Sequence, residues 1–520
     1  MIAAPNRPFL RRELTKDVTV GKLFVMAAAL VSLFVDQSFG GAYAAIQNYA
    51  GGSLGASADE LPWTVIGFNT SYWVTLLLTP WLIDRFGRKP IFGIGHWTFA
   101  VLAVYLATTT SLRGFMIGRC VEGMAQGTFF VCAVATVLML FGPSLRGVAF
   151  AFFSVISLAG VAAGPFIGGW FIDHAYWRDV FVLYALSAAF AGTIIFALLE
   201  APGPRPAGRF DIPGVAFILL AFFCFEYASA FGERRGWLSS PDVLWASFLS
   251  AIGFAGFIWR ELCEDRCGFI QLRLFNIRNL AVGSALGFGL GVPLYGANLF
   301  LQYAQTSLGF PPSTAGALLL LRIPAILLVA PFFVLLVNSD RLDVRVPVTL
   351  GFVLVPLSYA LLVPQTTSES NFWTFALAIV LSGAGFASLF SPIANVLVRS
   401  LPNEVRAEGI AIFKMVLLLG GSVSATALAV IYDHSWAWYQ TLLASGASLG
   451  HLQPIGTVPP LPTLSALVGQ QATVLAYADN SKVVALLTLL NLPLILLLRK
   501  PEAAAPSPAP EATEVAGVRS

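Results

Sequence analysis

Charge is scarce in this chain. Of its 520 residues only 11% are Asp, Glu, Lys or Arg, where an ordinary soluble domain carries about 25%. That scarcity excludes a soluble enzyme and a disordered protein, since a water-facing surface and an unstructured chain both need polar cover. The net charge is only +3 and no Lys/Arg-rich face is present, which excludes a nucleic-acid partner. Cysteine and histidine are sparse too, at five and four residues. Cys120, Cys132 and Cys224 sit in apolar runs and read as packing residues. Cys263 and Cys267 form CxxxC, one residue too long for a redox or zinc clip, and no second pair completes a zinc site. The histidines are scattered, so no metal or cofactor is expected. The N-terminal stretch lacks a short apolar core ending in a small-residue cleavage site, and it reads as a cytoplasmic tail.

Apolar side chains make up what is left. They account for 57% of the residues, the mean hydropathy is +0.79, and there are 42 Phe and 47 Gly. A spanning helix needs about 20 largely apolar residues, and fourteen such runs can be drawn, from 22–45 at the start to 409–432 and 483–498 at the end. The alternate loops and both tails on one side hold roughly 22 of the 30 Lys and Arg, and the other side about five, a strong positive-inside asymmetry. Both termini are therefore expected in the cytoplasm, with a disordered tail over 501–520.

The halves repeat. Asp84-Arg85 recurs as Asp340-Arg341 at an offset of 256. Gly123 matches Gly383, Arg146 matches Arg406 and Gly160 matches Gly420, all at 260. Parallel repeats related by an axis along the membrane normal are a transporter architecture. The expected organisation is a six-helix bundle over 1–203, an inserted helix pair with linkers over 204–270, and a second six-helix bundle over 271–500 with a long outer loop at 433–482.

Charges inside spans are costly and are candidates for function by default. Asp36, Arg119, Glu122, Glu226, Arg322 and Lys414 are the ones found. Asp36 and Arg119 share a half. A buried carboxylate can take up and release a proton, and a guanidinium that moves toward or away from it can gate that exchange; a static buried pair is the plainer alternative. Glu122 lies three residues after Arg119, on the same helix face, where it can neutralise it. Arg322 and Lys414 either line a cavity or pair with carboxylates. Glu226 falls in the inserted pair and is expected to be peripheral. Gly160, Gly164, Pro165, Gly168 and Gly169 put small residues along one stripe, with a proline that permits bending.

These residues together resemble the major facilitator superfamily. Pro80 to Lys89, which includes Asp84, Arg85, Gly87, Arg88 and Lys89, is similar to its GxLxDRxGRK loop, with Pro80 in place of the first Gly. The resemblance implies that these charges, with Arg146 as a partner, latch the cytoplasmic ends of the bundles. Arg119 to Gly123 resembles the RxxQG motif linked to proton coupling, with Glu122 in place of Gln. Gly160 to Gly169 resembles the GxxxGPxxGG motif of exporters, Val35 to Ser38 the LDxT motif of drug–proton antiporters, and Trp177 to Phe181 the WRWIF stretch. With fourteen spans, the chain is similar to the EmrB/QacA-like branch, although Leu417 stands where that branch often has an Arg and Lys414 lies one turn earlier. The resemblance implies a transporter of the inner (cytoplasmic) membrane that exports hydrophobic or amphipathic molecules in exchange for protons. Asp36 would be the proton site and Arg119 its modulator, and a periplasmic adaptor would dock on 433–482. Export of one metabolite such as a siderophore or sugar, a non-transporting sensor, and interfacial anchoring of the 433–482 aromatics remain open alternatives.

Overall fold

The computed structural model describes residues 20–140, 146–200, 202–206, 208–263, 271–339, 341–402, 404–446 and 461–499. Among these there is helix and no strand. Lipid offers no partner to a backbone N–H, so a spanning segment has to satisfy its hydrogen bonds within itself. The first half comprises α1 (Val20–Leu54), α2 (Trp63–Phe86), α3 (Arg88–Thr108), α4 (Leu112–Gln126), α5 (Phe129–Leu140), α6 (Arg146–His174) and α7 (Asp179–Leu198). Two helices follow, α8 (Ile212–Arg235) and α9 (Pro241–Cys263). The second half comprises α10 (Arg278–Thr306), α11 (Pro312–Leu320), α12 (Arg322–Asn338), α13 (Arg345–Gln365), α14 (Ala376–Ser400), α15 (Arg406–Gly446), α16 (Leu461–Leu489) and the short α17 (Leu492–Ile495).

Among the described residues thirteen stretches are long and apolar enough to cross a membrane; α4 with α5 form one, and α11 with α12 another. The 24-residue α2 is a fourteenth long helix, more polar than the rest because Asn69, Thr70 and Ser71 lie inside it. Large apolar side chains such as Val101, Ile117, Leu186 and Leu328 stand exposed on the outside, as lipid-facing residues must.

In the first half α1 packs against α5, α6 and α7, α3 against α7, and α2 against α4. In the second, α10 packs against α15, α14 against α12 and α13, and α16 against α13 and α15. The halves meet where α6 lies along α11 and α12, and where α2 meets α15. The α8–α9 pair leans on α2 and touches α15.

One expectation is corrected. Residues 433–482 are not a long outer loop. The helix that begins at Arg406 runs unbroken to Gly446, 41 residues, and α16 already begins at Leu461. At 1.5 Å per residue α15 is about 60 Å long, twice the hydrocarbon thickness of roughly 30 Å. The reason is local: no Gly or Pro interrupts 422–445, so nothing stops the helix where the apolar run ends. The two extensions are tied together. Tyr439 donates to Asp479 Oδ2 at 2.8 Å, and the Tyr432 and Tyr477 rings lie 4.7 Å apart.

Candidate functional site: a buried charge pair between the halves

Asp36 lies midway along α1 and is 7% exposed. Its Oδ1 accepts from the Tyr72 hydroxyl of α2 at 2.8 Å. Gln126, at the end of α4, donates to the Asp36 backbone carbonyl at 3.2 Å. The cation that faces the carboxylate comes from the other half: Lys414 Nζ of α15 is 3.7 Å from Oδ2. The same ammonium donates to Gln37 Oε1 at 2.6 Å and lies 4.6 Å from the Phe130 ring centroid. Lys414 thus takes the pairing role that the sequence left open for it.

Arg119 is placed differently from the expected modulator of Asp36. It is held by its own helix, because Nη1 donates to Glu122 Oε2 one turn on. Its guanidinium lies over the rings of Tyr43 at 3.9 Å and Phe68 at 4.1 Å, a cation–π cage that holds the charge away from lipid. Glu122 therefore neutralises Arg119, while Glu122 Oε1 and Arg119 Nε have no hydrogen-bond partner among the described residues. Arg322, where α12 begins after the break at Leu321, donates to Ser382 at 2.9 Å and lies 5.1 Å from the Phe386 centroid. Among the described residues it forms no ion pair with a carboxylate.

Tyr72, Gln126, Gln37 and Phe130 were not singled out from sequence. Gln126 follows Glu122 by four residues and so shares its helix face. Tyr72 had no such signal, because its hydroxyl reaches Asp36 from a different helix, α2, 36 residues away in the chain.

Next to Lys414 a row of rings crosses from one half to the other. Phe130 and Phe153 lie 5.8 Å apart, Phe153 and Phe390 6.4 Å, and Phe390 and Phe413 6.4 Å. Phe130 and Phe153 belong to the first half, Phe390 and Phe413 to the second.

The glycine stripe of α6 is an interface on two sides. A Cβ at Gly160, Gly164 or Gly168 would lie 2.9 Å from Gln37 Cβ, 2.3 Å from Ser38 O or 2.4 Å from Ala42 O, all on α1. The Pro165 ring packs on Gly41 of the same helix. A Cβ at Gly169 would instead lie 2.4 Å from the Pro312 carbonyl of α11, in the other half. Close by, the Ser313 N–H donates to Asp173 Oδ2 at 2.8 Å. These contacts close the halves together at one end.

The 84–89 loop lies at the other end. Gly87 links α2 to α3 with φ +87°, a conformation that glycine adopts without strain. Arg88 donates to the Ala135 carbonyl of α5 at 3.0 Å, and the Arg205 N–H donates to the Asp84 carbonyl at 2.7 Å. Arg85 is exposed and Lys89 half-buried. A cavity of about 220 Å³ opens here, with Asp84, Arg88 and Arg205 on one wall and Glu404 and Glu408 of the second half on the other. The Arg146 side chain lies outside the described residues.

The overall fold has known relatives. The family model of the Major Facilitator Superfamily matches residues 25–296 and 280–452. The multidrug export protein EmrB of Haemophilus influenzae is 23% identical over 420 residues, which is 78% of this chain and 79% of that protein. The tetracenomycin C resistance and export protein of Streptomyces glaucescens is 26% identical over 430 residues, 79% of this chain and 78% of that one. Among solved structures, the human organic anion transporter MFSD10 (TETRAN) superposes with a TM-score of 0.57 at 14% identity, covering 91% of this chain and 99% of that one. The proton:xylose symporter XylE gives a TM-score of 0.54 at 14% identity, covering 88% and 94%. This multi-pass membrane protein is a transporter and belongs to the Major Facilitator Superfamily.

Proposed function

We propose that the chain exports hydrophobic or amphipathic small molecules across the cytoplasmic membrane in exchange for protons. The observation that carries this reading is the buried Asp36–Lys414 pair, whose two members belong to different halves. A pair that joins two moving bodies holds them while Asp36 is ionised. A proton arriving on Asp36 removes its negative charge, and Lys414 is then held only by Gln37 and Phe130. The halves can part on that side. When the carboxylate reaches the opposite solution it gives up the proton, and the pair re-forms. Substrate and proton thus travel in opposite directions through alternating access. Arg119 and Glu122 are a neutral, caged unit in this scheme and support the helix that carries Gln126.

The row of Phe130, Phe153, Phe390 and Phe413 supports apolar cargo, since ligand sites are lined mostly by aromatic and aliphatic groups with a few polar ones that orient. The exporters among the similar proteins support the outward direction. Asp84, Arg85, Gly87, Arg88 and Lys89, with Arg146, would latch the cytoplasmic end. The charge asymmetry of the loops supports both termini inside. The exposed Trp438 and Leu442 on the extension of α15 support an adaptor docking there.

The test is ethidium efflux in inverted membrane vesicles with and without a pH gradient. The wild-type protein should move ethidium only when the gradient is present. Asp36→Asn should bring gradient-driven transport down to background while protein level and membrane insertion stay unchanged. Wild-type rates in that variant would remove Asp36 from the mechanism.

A further inference from the structure

Glu226 was expected to be peripheral, as a charge in the inserted helix pair. The structure puts it at a junction of three elements. It is 5% exposed. From α8, its Oε2 accepts from Asn69 of α2 at 3.0 Å and its Oε1 accepts from Ser422 of α15 at 2.9 Å. The register around it is well packed. Trp73, one turn after Asn69, stacks edge-on against Phe222, one turn before Glu226, with centroids 5.1 Å apart. Ser422 follows Gly420 and Gly421, whose small size brings α15 close to α10, and a Cβ at Gly421 would lie 2.2 Å from the Tyr295 ring.

Unlike Asp36, this carboxylate has no cation. Among the described residues no Lys, Arg or His forms an ion pair with Glu226. Charges on α8, α9 and α15 have partners elsewhere. Asp242 of α9 is bound by Arg235, at the end of α8, and by Tyr227, the residue after Glu226. His434 of α15 faces Glu233, at 3.2 Å. Lys414 lies about two turns before Ser422 and is committed to Asp36 and Gln37. A further titratable side chain close to this junction is Tyr295 of α10, whose ring lies against Gly421, the residue before Ser422. A buried anion with only neutral donors is costly, and a proton relieves that cost as well as a cation does.

We propose that Glu226 is a second proton-carrying carboxylate of the transport cycle, contributed by the inserted helix pair. This rests on the proton-exchange reading above. The step is a proton transfer and nothing else. When α15 moves away from α2 on one side, the Ser422 contact opens and a hydronium ion from that solution gives its proton to Oε1. On the return, water on the other side takes the proton and Ser422 donates to Oε1 again. Because Glu226 binds both a first-half and a second-half helix, its environment changes in the same movement that separates Asp36 from Lys414. The inserted pair is then a working part of the exchanger and does more than fill the bilayer beside it.

Two measurements on the full-length protein test this. The first is infrared difference spectroscopy of the carboxyl C=O stretch during a pH titration in lipid nanodiscs, with protons as the only ligand. The wild type should show a titrating protonated-carboxyl band that Glu226→Gln removes and Asp36→Asn leaves in place. A Glu226→Gln spectrum that superimposes on the wild type would overturn the proposal. Glutamine keeps the size and both hydrogen-bonding positions, so folding should survive. If it does not, Ser422→Ala serves instead and should move the midpoint of that band, an unmoved band counting against the idea. The second is the membrane-potential dependence of ethidium transport in proteoliposomes. Glu226→Gln should carry one proton fewer per ethidium than the wild type, whereas a purely structural glutamate would lower the rate and leave the ratio alone. An unchanged ratio would overturn the role in the cycle. Failure of the wild type to move ethidium at all would strike the export reading, and the infrared result would still decide Glu226.

Discussion

At the scale of residues, the central contact is an ion pair buried between two bodies. Removing one partner of a buried pair leaves the other charge without compensation, typically at about 3–5 kcal/mol. Lys414→Met should therefore lower the stability of the detergent-solubilised protein by about 3 kcal/mol, the lower end of that range because Asp36 can take up a proton. The double variant Asp36→Asn with Lys414→Met should recover most of that loss, because no unpaired charge is left, yet remain inactive in gradient-driven efflux. Thermal unfolding followed by tryptophan fluorescence measures the first part, and vesicle transport the second. A double variant no more stable than Lys414→Met would show that the two side chains do not interact. Arg119 leads to a different expectation. Because Glu122 neutralises it locally, Glu122→Gln should destabilise the protein through the caged guanidinium, and its effect on unfolding should be the same in an Asp36→Asn background. Non-additive unfolding of that pair would mean that Arg119 does reach Asp36.

Candidate charges were readable in the sequence because a charge in an apolar run is conspicuous at any spacing. Their partners on other helices were not. Asp36 and Lys414 are 378 residues apart in the numbering, and no local rule couples such positions. The Arg119–Glu122 pair was readable, since it depends only on a three-residue spacing within one helix. The buried position of Glu226 was not legible, because a place in an inserted pair says nothing about the face a side chain presents.

At the scale of elements, α6 depends on its glycines. Gly164→Ala would put a methyl group 2.3 Å from the Ser38 carbonyl oxygen, and backbone cannot yield as a side-chain tip can. Overpacking of this kind costs about 1–3 kcal/mol, and it should also slow transport, because α1 and α6 must separate slightly to accept it. Gly40→Ala is the control, since nothing lies within 4 Å of a Cβ there; its unfolding and efflux should match the wild type. Equal behaviour of the two variants would remove the close α1–α6 approach from the account. The extension of α15 teaches the complementary lesson. Hydropathy locates the part of a helix that lipid covers, but a helix ends where caps or breakers end it, and the absence of Gly and Pro over 422–445 was the signal that apolar length concealed.

At the scale of the whole molecule, the two ends of the inter-half seam differ. One is closed by Gly169 against Pro312 and by the Asp173–Ser313 hydrogen bond, and the other holds the charged cavity between Asp84 and Glu408. A protein that alternates has to open the closed end. Replacing Asp173 and Ser313 together by cysteine should permit an oxidative cross-link that stops ethidium efflux, with activity returning on reduction. Full efflux from the cross-linked protein would show that this end does not open during transport.

Apolar run length, loop charge and the recurrence of motifs near an offset of 260 determined, without coordinates, that the chain is a many-spanning helical membrane protein with two related halves. Each of those properties follows from short-range rules of helix formation and lipid solvation, which act residue by residue. Which charge meets which across the seam was decided only when α1, α2, α8 and α15 came together. An ion pair needs two groups within a few ångströms, and the distance between side chains on separate helices is set by packing, which sequence spacing does not encode.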